Sequence, residues 1–291
     1  VTIKGLREAV QKTLDDPVIQ NRSVLEANMI IEGMSRTKAG VYVDCGCWAG
    51  LLARDVVKRS SSDKSGPVKF ALLIDGVEYF VQRAEELIQK AATGVVTNFL
   101  TALLVPDTTY GSSMRLHISD TSAASVFENR KDSELIIPKQ VLTAGKLKET
   151  VLPWDQKSAY VKLDLDGLDI SFLKALFRAG YRPAVVHFEV KDAEEYDSFM
   201  PVLVLNGYYP PSLPKGIMEP EEETSPSDPE VDKQSVRKLK KHEFWSVACG
   251  PDFAYVLGIN PDEVYGPMLR EEPLSWLKLN EPPLPVQKVG Q

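Results

Sequence analysis

The chain has 291 residues, 43% hydrophobic and 26% charged, with a net charge of −7. That length buries a sizeable core, as one large domain or one domain with appendages. The acidic balance argues against a nucleic-acid partner, which needs a basic face, and no apolar run reaches the roughly 20 residues that span a bilayer.

In chain order, residues 4–36 are predicted helical. Leu6, Val10 and Leu14, then Val24, Met29 and Ile30, recur at about helical spacing, and Asp16-Pro17 interrupts them. Residues 1–39 therefore form an N-terminal helical cap. From Gly40 the pattern changes. Val41-Tyr42-Val43 is a short apolar run ending in Asp44, followed by a glycine turn and a helix over 51–59. Residues 60–66 are a polar loop. A strand over 69–74 ends at Asp75, and 79–92 is an amphipathic helix. Strand-like runs follow at 95–105 and 113–119, and 138–149 fits either state. Then come a strand at 160–165, a helix at 170–179, a strand at 184–190 and a helix at 192–205.

Strands alternating with helices predict an α/β fold, a doubly wound, mostly parallel sheet over 40–209. Right-handed crossovers bring the strand C-ends to one edge, so Asp44, Asp75 and Asp164 converge there. Residues 210–242 read as a charged surface insertion, opened by Pro210-Pro211, acidic first and basic after. Residues 243–291 supply two closing strands, 244–248 and 253–258, and a proline-rich extended tail after Glu272. Residues 1–39, 210–241 and the tail are the expected surfaces for protein partners.

Three cysteines, Cys45, Cys47 and Cys249, cannot pair fully and make no C-x-x-C. They point to cytoplasm or another reducing compartment. The start at Val1, with no apolar signal core, is compatible with a targeting segment removed before it.

Three motifs carry chemistry. Asp44-Cys45-Gly46-Cys47-Trp48-Ala49-Gly50 follows a strand and opens a helix, where glycines let the backbone turn and approach a ligand. By itself it reads equally as a plain strand–turn–helix. Its D-x-G-x-x-x-G spacing differs from the G-x-G-x-x-G of nicotinamide dehydrogenases, which weakens that reading. Asp75 at the next strand end can accept hydrogen bonds from ribose hydroxyls, with Glu78 as the competitor. Either could instead be a helix N-terminal charge. Lys162-Leu163-Asp164-Leu165-Asp166-Gly167-Leu168-Asp169 crowds three carboxylates at a strand end, a site signature because like charges raise a pKa. Asp169 is expected to cap the following helix and Asp164 to serve the site.

On these residues the chain resembles the FkbM-type S-adenosylmethionine-dependent methyltransferases, over roughly residues 40–210. The family's D-x-G-A-N-x-G is met at Asp44, Gly46 and Gly50, and its acidic second strand end at Asp75. Its K-I-D-V-E-G-x-E is met by residues 162–169, then by Leu173, Arg182-Pro183 and Glu189, and Asn206-Gly207-Tyr208 is similar to a later Gly-Tyr. Cys47-Trp48 stand where the family keeps a small residue and Asn, and both hallmark glutamates are aspartates.

The resemblance implies a Rossmann-like fold of the class I methyltransferase type and S-adenosylmethionine as cofactor. Asp44, Gly46, Cys47, Gly50, Asp75, Glu78 and Ala102 would bind it. Methyl transfer would go to a hydroxyl of a sugar, other glycan or small metabolite. The expected catalytic residues are Asp164, His187 and Glu189. His187 and Glu189 alternate on one strand face, where His187 is either a base or a satisfied core histidine. Asp164 would position the acceptor or hold a metal with Asp166. The alternative is a catalytically degenerate protein of this fold, serving as a structural or binding subunit of a larger assembly.

Overall fold

The computed structural model describes residues 3–62, 66–91, 94–110, 116–118, 124–125, 134–136, 138, 140–190, 193–211, 244–251 and 253–259. Most of the charged insertion and the C-terminal tail, residues 212–243 and 260–291, lie outside the described residues.

The chain begins with α1 (Ile3–Leu14) and α2 (Pro17–Thr37). Asp16-Pro17 marks a start as well as a stop. Asp16 is the N-cap of α2, its carboxylate accepting from the Val18 N–H at 2.8 Å, and Pro17 takes the first helical position, where no N–H is needed. Then follow β1 (Val41–Cys45), α3 (Leu51–Ser62), β2 (Phe70–Asp75), α4 (Glu78–Ala91), β3 (Val96–Thr101) and β4 (Leu103–Val105). The predicted strand 95–105 is thus two strands. They part at Ala102, whose N–H bonds the Asp75 carbonyl at 2.8 Å.

Short strands β5 (Leu116–Ile118), β6 (Ala124–Ser125) and β7 (Glu134–Ile136) form a small antiparallel sheet. The ambiguous 138–149 resolves into β8 (Val141–Thr143), paired parallel with β4, and α5 (Ala144–Thr150). Thr143 ends one and caps the other, its hydroxyl accepting from the Lys146 N–H. The remaining elements are β9 (Ala159–Leu163), α6 (Asp169–Arg178), β10 (Val185–Val190), α7 (Ala193–Leu205), β11 (Phe244–Cys249) and β12 (Ala254–Ile259).

The central sheet has seven strands in the order β12-β11-β10-β9-β1-β2-β3. β3, β2, β1, β9 and β10 are parallel, and β11 and β12 close the sheet as an antiparallel pair. This is a mixed α/β, doubly wound, mostly parallel sheet. Its inner strands β1, β2, β9 and β10 are largely apolar because both faces are covered, whereas the edge strand β3 is part-exposed. Alternate residues separate the layers. Tyr42, Leu73, Tyr160 and Val185 face α2, α3 and α4, whereas Val43, Leu72, Val161 and Val186 face α5, α6 and α7. A third cluster sets Leu6, Val10 and Leu14 of α1 against Val77 and Phe80, which follow β2, and against Val105, which ends β4.

Strand order reverses between β1 and β9. In an open sheet that reversal splays the outgoing loops apart and leaves a crevice beyond the strand C-ends. No helix among the described residues is long and apolar enough to cross a membrane.

Candidate functional site

The crevice is floored by the loop between β1 and α3. Gly46 has φ +85°, and a Cβ there would lie 1.8 Å from the Asp164 carbonyl oxygen. Only glycine lets the two outgoing loops touch in this way. The contact is pinned by the Asp164 N–H donating to the Cys45 carbonyl at 2.9 Å, while the Gly46 and Cys47 N–H groups share the Ile74 carbonyl. Gly50, at φ +77°, brings α3 onto α4, where a Cβ would sit 2.5 Å from that of Ala84.

Trp48 also has positive φ, 45°, a cost for a side chain of this size. Two contacts hold it. Its N–H donates to Asp75 Oδ2 at 2.9 Å, and its indole packs on Phe80 with ring centroids 6.2 Å apart. The other Asp75 oxygen accepts from the Val77 N–H at 2.8 Å. Asp75 therefore braces the glycine loop. Burial, with Asp164 and Asp44 nearby, pushes its carboxyl up to about 7 against the pull of those two N–H bonds.

Asp44 and Lys162 form the buried centre. Asp44 is 1% exposed, accepts from the Tyr42 hydroxyl at 3.0 Å, and lies 3.6 Å from the Lys162 ammonium. Lys162 in turn donates to Asp164 at 3.2 Å. Burial raises the Asp44 carboxyl to about 6 despite Lys162 and Tyr42. Burial pulls the Lys162 ammonium down, but Asp164, Asp44, Glu26 and Glu189 outweigh it and hold it well above its usual value, so Lys162 stays charged.

Asp169 does not cap α6. Leu168 holds the N-cap position with no side-chain bond, because Asp169 has turned back to accept from the Leu165 and Glu189 N–H groups at 3.1 and 3.5 Å. It ties the hallmark turn to β10.

Asp44, Gly46 and Cys47 line a cleft of about 190 Å³, together with Trp48, Lys162 and Asp164. The other expected site residues stand apart from it. Gly50 packs against α4, Glu78 is exposed at the start of α4, and Ala102 is 1% exposed in the core, so its side chain has no face toward the cleft. His187 is wholly buried, with the Tyr160 hydroxyl 3.1 Å from Nδ1 and the Ser246 hydroxyl 3.2 Å from Nε2. Burial, Lys162 and Arg22 depress its pKa well below the usual histidine range, so it is neutral. This is the core-histidine alternative. Glu189 accepts from Arg22 at 3.1 Å. Asp166 lies in the turn after β9 with φ 49°. Among the described residues no group of three or more His, Cys, Asp or Glu is arranged to hold a metal ion.

The far wall comes from α2, through Ile19, Arg22, Ser23 and Glu26. Sequence reasoning missed these. Glu26 is 4% exposed, its Oε1 lies 3.5 Å from His187 Nε2, and Oε2 lies 3.9 Å from Arg22. Ser23 donates to Asp55 of α3 at 2.6 Å, and Arg54 pairs with the same carboxylate at 2.7 Å. One signal was available. Glu26 shares a helical stripe with Ile30 and Met34, and carboxylates on an apolar stripe are rare unless partnered.

No protein-family model matches the chain, and no curated protein matches it. Among solved structures it is similar to the O-methyltransferase from Bacillus cereus in complex with SAH. Identity is 10%, covering 73% of this chain and 84% of that one, with a TM-score of 0.39. It is also similar to the methyltransferase domain of bacterial CtHen1, at 13% identity over 66% and 88% of the two chains, with a TM-score of 0.37.

Proposed function

We propose that this chain binds S-adenosylmethionine beyond the ends of β1, β2 and β9 and transfers its methyl group to a hydroxyl of a sugar or small metabolite. The observation that carries this reading is the Asp44–Gly46 turn at the sheet's reversal point. Its backbone abuts the Asp164 carbonyl, and Asp75 stands at the next strand end. Bound, the cofactor supplies an electrophilic methyl group, and the protein supplies orientation.

The residues divide that work. Gly46 leaves the floor bare of side chain. Lys162, held between Asp44 and Asp164, fixes both carboxylates without a rotamer search when ligand arrives. Asp164 keeps 37% of its side chain exposed at the rim and is the carboxylate that meets an acceptor hydroxyl. A cleft of about 190 Å³ holds an amino-acid-sized group, so the methionine end fits it. The nucleoside belongs beside it, near Asp75, and needs the Trp48 indole to swing from Phe80.

Isothermal titration with S-adenosylhomocysteine tests this. Micromolar binding is expected, and Trp48→Asn should tighten it about tenfold, one step of roughly 1.4 kcal/mol. Asn tolerates positive φ and clears the nucleoside's path. Absence of heat with both proteins overturns the reading.

Trp48 and Asp75 favour a second reading, a binding or structural subunit of the same fold. Both are committed to bracing the loop. Binding of the product without turnover of methyl-labelled cofactor against a broad panel of hydroxylated acceptors would favour it.

A further inference from the structure

The cleft beside the glycine loop runs into the packing of α1. Ile19, Trp48 and Leu51 line that cleft. The same three side chains pack in the cluster that holds Leu6, Val10 and Leu14 of α1 against Val77 and Val105. Cleft and α1 cluster are therefore neighbours along the C-terminal edge of the sheet. Leu6, Val10 and Leu14 are only 7%, 0% and 5% exposed, so α1 fills the space between the segments leaving β2 and β4. A cleft of about 190 Å³ takes the methionine end of the proposed cofactor and no more. The nucleoside has to lie next along the edge, past Asp75, where an adenine ring calls for an apolar slot. The apolar slot at that place is the one that α1 occupies.

Three features make α1 separable from the rest. It has 12 residues, a marginal length for a helix without tertiary contacts. α2 starts without it, because Asp16 caps α2 and Pro17 takes the first helical position. Its buried stripe also belongs to a different cluster from the Ala27, Ile30 and Met34 face that fixes α2 on the sheet. At the rim, Arg83 of α4 donates to the exposed Gln11 at 2.9 Å, and the exposed Arg7 guanidinium stands 5.8 Å from the Tyr79 ring centroid. Water can replace both of these surface contacts.

We propose that α1 is an autoinhibitory plug: its Leu6, Val10 and Leu14 stripe occupies the nucleoside place, and S-adenosyl ligands bind as the helix is displaced. The inference rests on the cofactor reading above and adds a closed state to it. Apparent affinity is then the intrinsic affinity reduced by the fraction of molecules in which α1 has left. Trp48 is part of the same closure, since its indole packs on Phe80 within the α1 cluster.

Hydrogen exchange of the full chain, with and without S-adenosylhomocysteine, tests this. Ligand should slow exchange in the glycine loop and after β2, yet speed it in α1, because a displaced α1 unfolds. Slower or unchanged exchange in α1 of the bound protein overturns the proposal and leaves the cofactor reading intact. Val10→Asp supplies the affinity arm, placing a carboxylate in the buried stripe but outside the cleft wall. By isothermal titration it should bind S-adenosylhomocysteine about tenfold more tightly than wild type. Equal or weaker binding overturns the proposal, and binding by Val10→Asp alone supports it in its strongest form. Should Val10→Asp fail to fold, Leu6→Ser takes its place with a gain of a few-fold, and no gain overturns the proposal. Binding by neither wild type nor variant overturns the cofactor reading itself, and the plug with it.

Discussion

At the residue scale, two glycines separate conformation from contact. Gly46 and Gly94 both have positive φ, 85° and 72°. A Cβ at Gly94 meets nothing within 4 Å, whereas at Gly46 it collides with the Asp164 backbone. Gly94→Ala should therefore cost about 1–2 kcal/mol, the strain of a left-handed residue alone. Gly46→Ala should cost clearly more and abolish ligand binding, because the loops must part. Chemical denaturation of both variants checks this, and equal losses would contradict the loop contact.

Asp75 gives a pH-dependent expectation at the same scale. Its folded pKa of about 7 stands above the ordinary carboxylate value of 3.8. The folded protein thus takes up the proton first. The associated stability is fully present below the unfolded value and is lost as pH rises through 7. Asp75→Asn cannot titrate, so the melting-temperature advantage of wild type over this variant should grow as pH falls from 8 to 5. A constant difference would show that Asp75 is not perturbed.

At the element scale, α2 is the piece on which the site depends. Gly33 lets it settle onto the sheet, since a Cβ there would come within 2.9 Å of Phe253 and 3.0 Å of Tyr160. In an exposed helix, Gly→Ala would stabilise by nearly 1 kcal/mol. Here a larger side chain must push α2 outward and carry Arg22 and Glu26 with it. Gly33→Leu should destabilise by about 1–3 kcal/mol and weaken S-adenosylhomocysteine binding, although Gly33 is no part of the cleft wall. Unfolding curves and calorimetry on one preparation would reveal whether the two effects travel together.

At the scale of the whole molecule, α1 and α2 are part of the core. Ala27, Ile30 and Met34 are wholly buried in one cluster with Tyr42, Val57, Leu73 and Tyr160. Their removal would strip one face of β1 and β9 and uncover the charged centre at Lys162. Deletion of residues 1–39 should give an aggregating chain that binds hydrophobic dye, as size exclusion and dye fluorescence would report. A monomeric product with a sharp melting transition would mean that the helices are separable.

Most of the layer architecture was legible in the chain before any tertiary contact was known. Local physics suffices there. The alternation of short apolar strands with amphipathic helices, the Asp16-Pro17 break between the first two helices and the glycines at strand ends each act within a few residues. Asp44, Gly46 and Asp164 were legible too, because ends of parallel strands converge by topology alone. Packing settled the rest. That Asp75 braces the Trp48 amide, that Asp169 turns back to β10 and that His187 is sealed between Tyr160 and Ser246 depend on partners 20 to 60 residues away. The entry of Glu26 into the cleft depends on how closely α2 approaches the sheet, a distance set at Gly33 by two aromatic rings from β9 and the loop before β12. Neither helical spacing nor motif spacing encodes that distance, so the wall opposite the glycine loop emerged only with the tertiary structure.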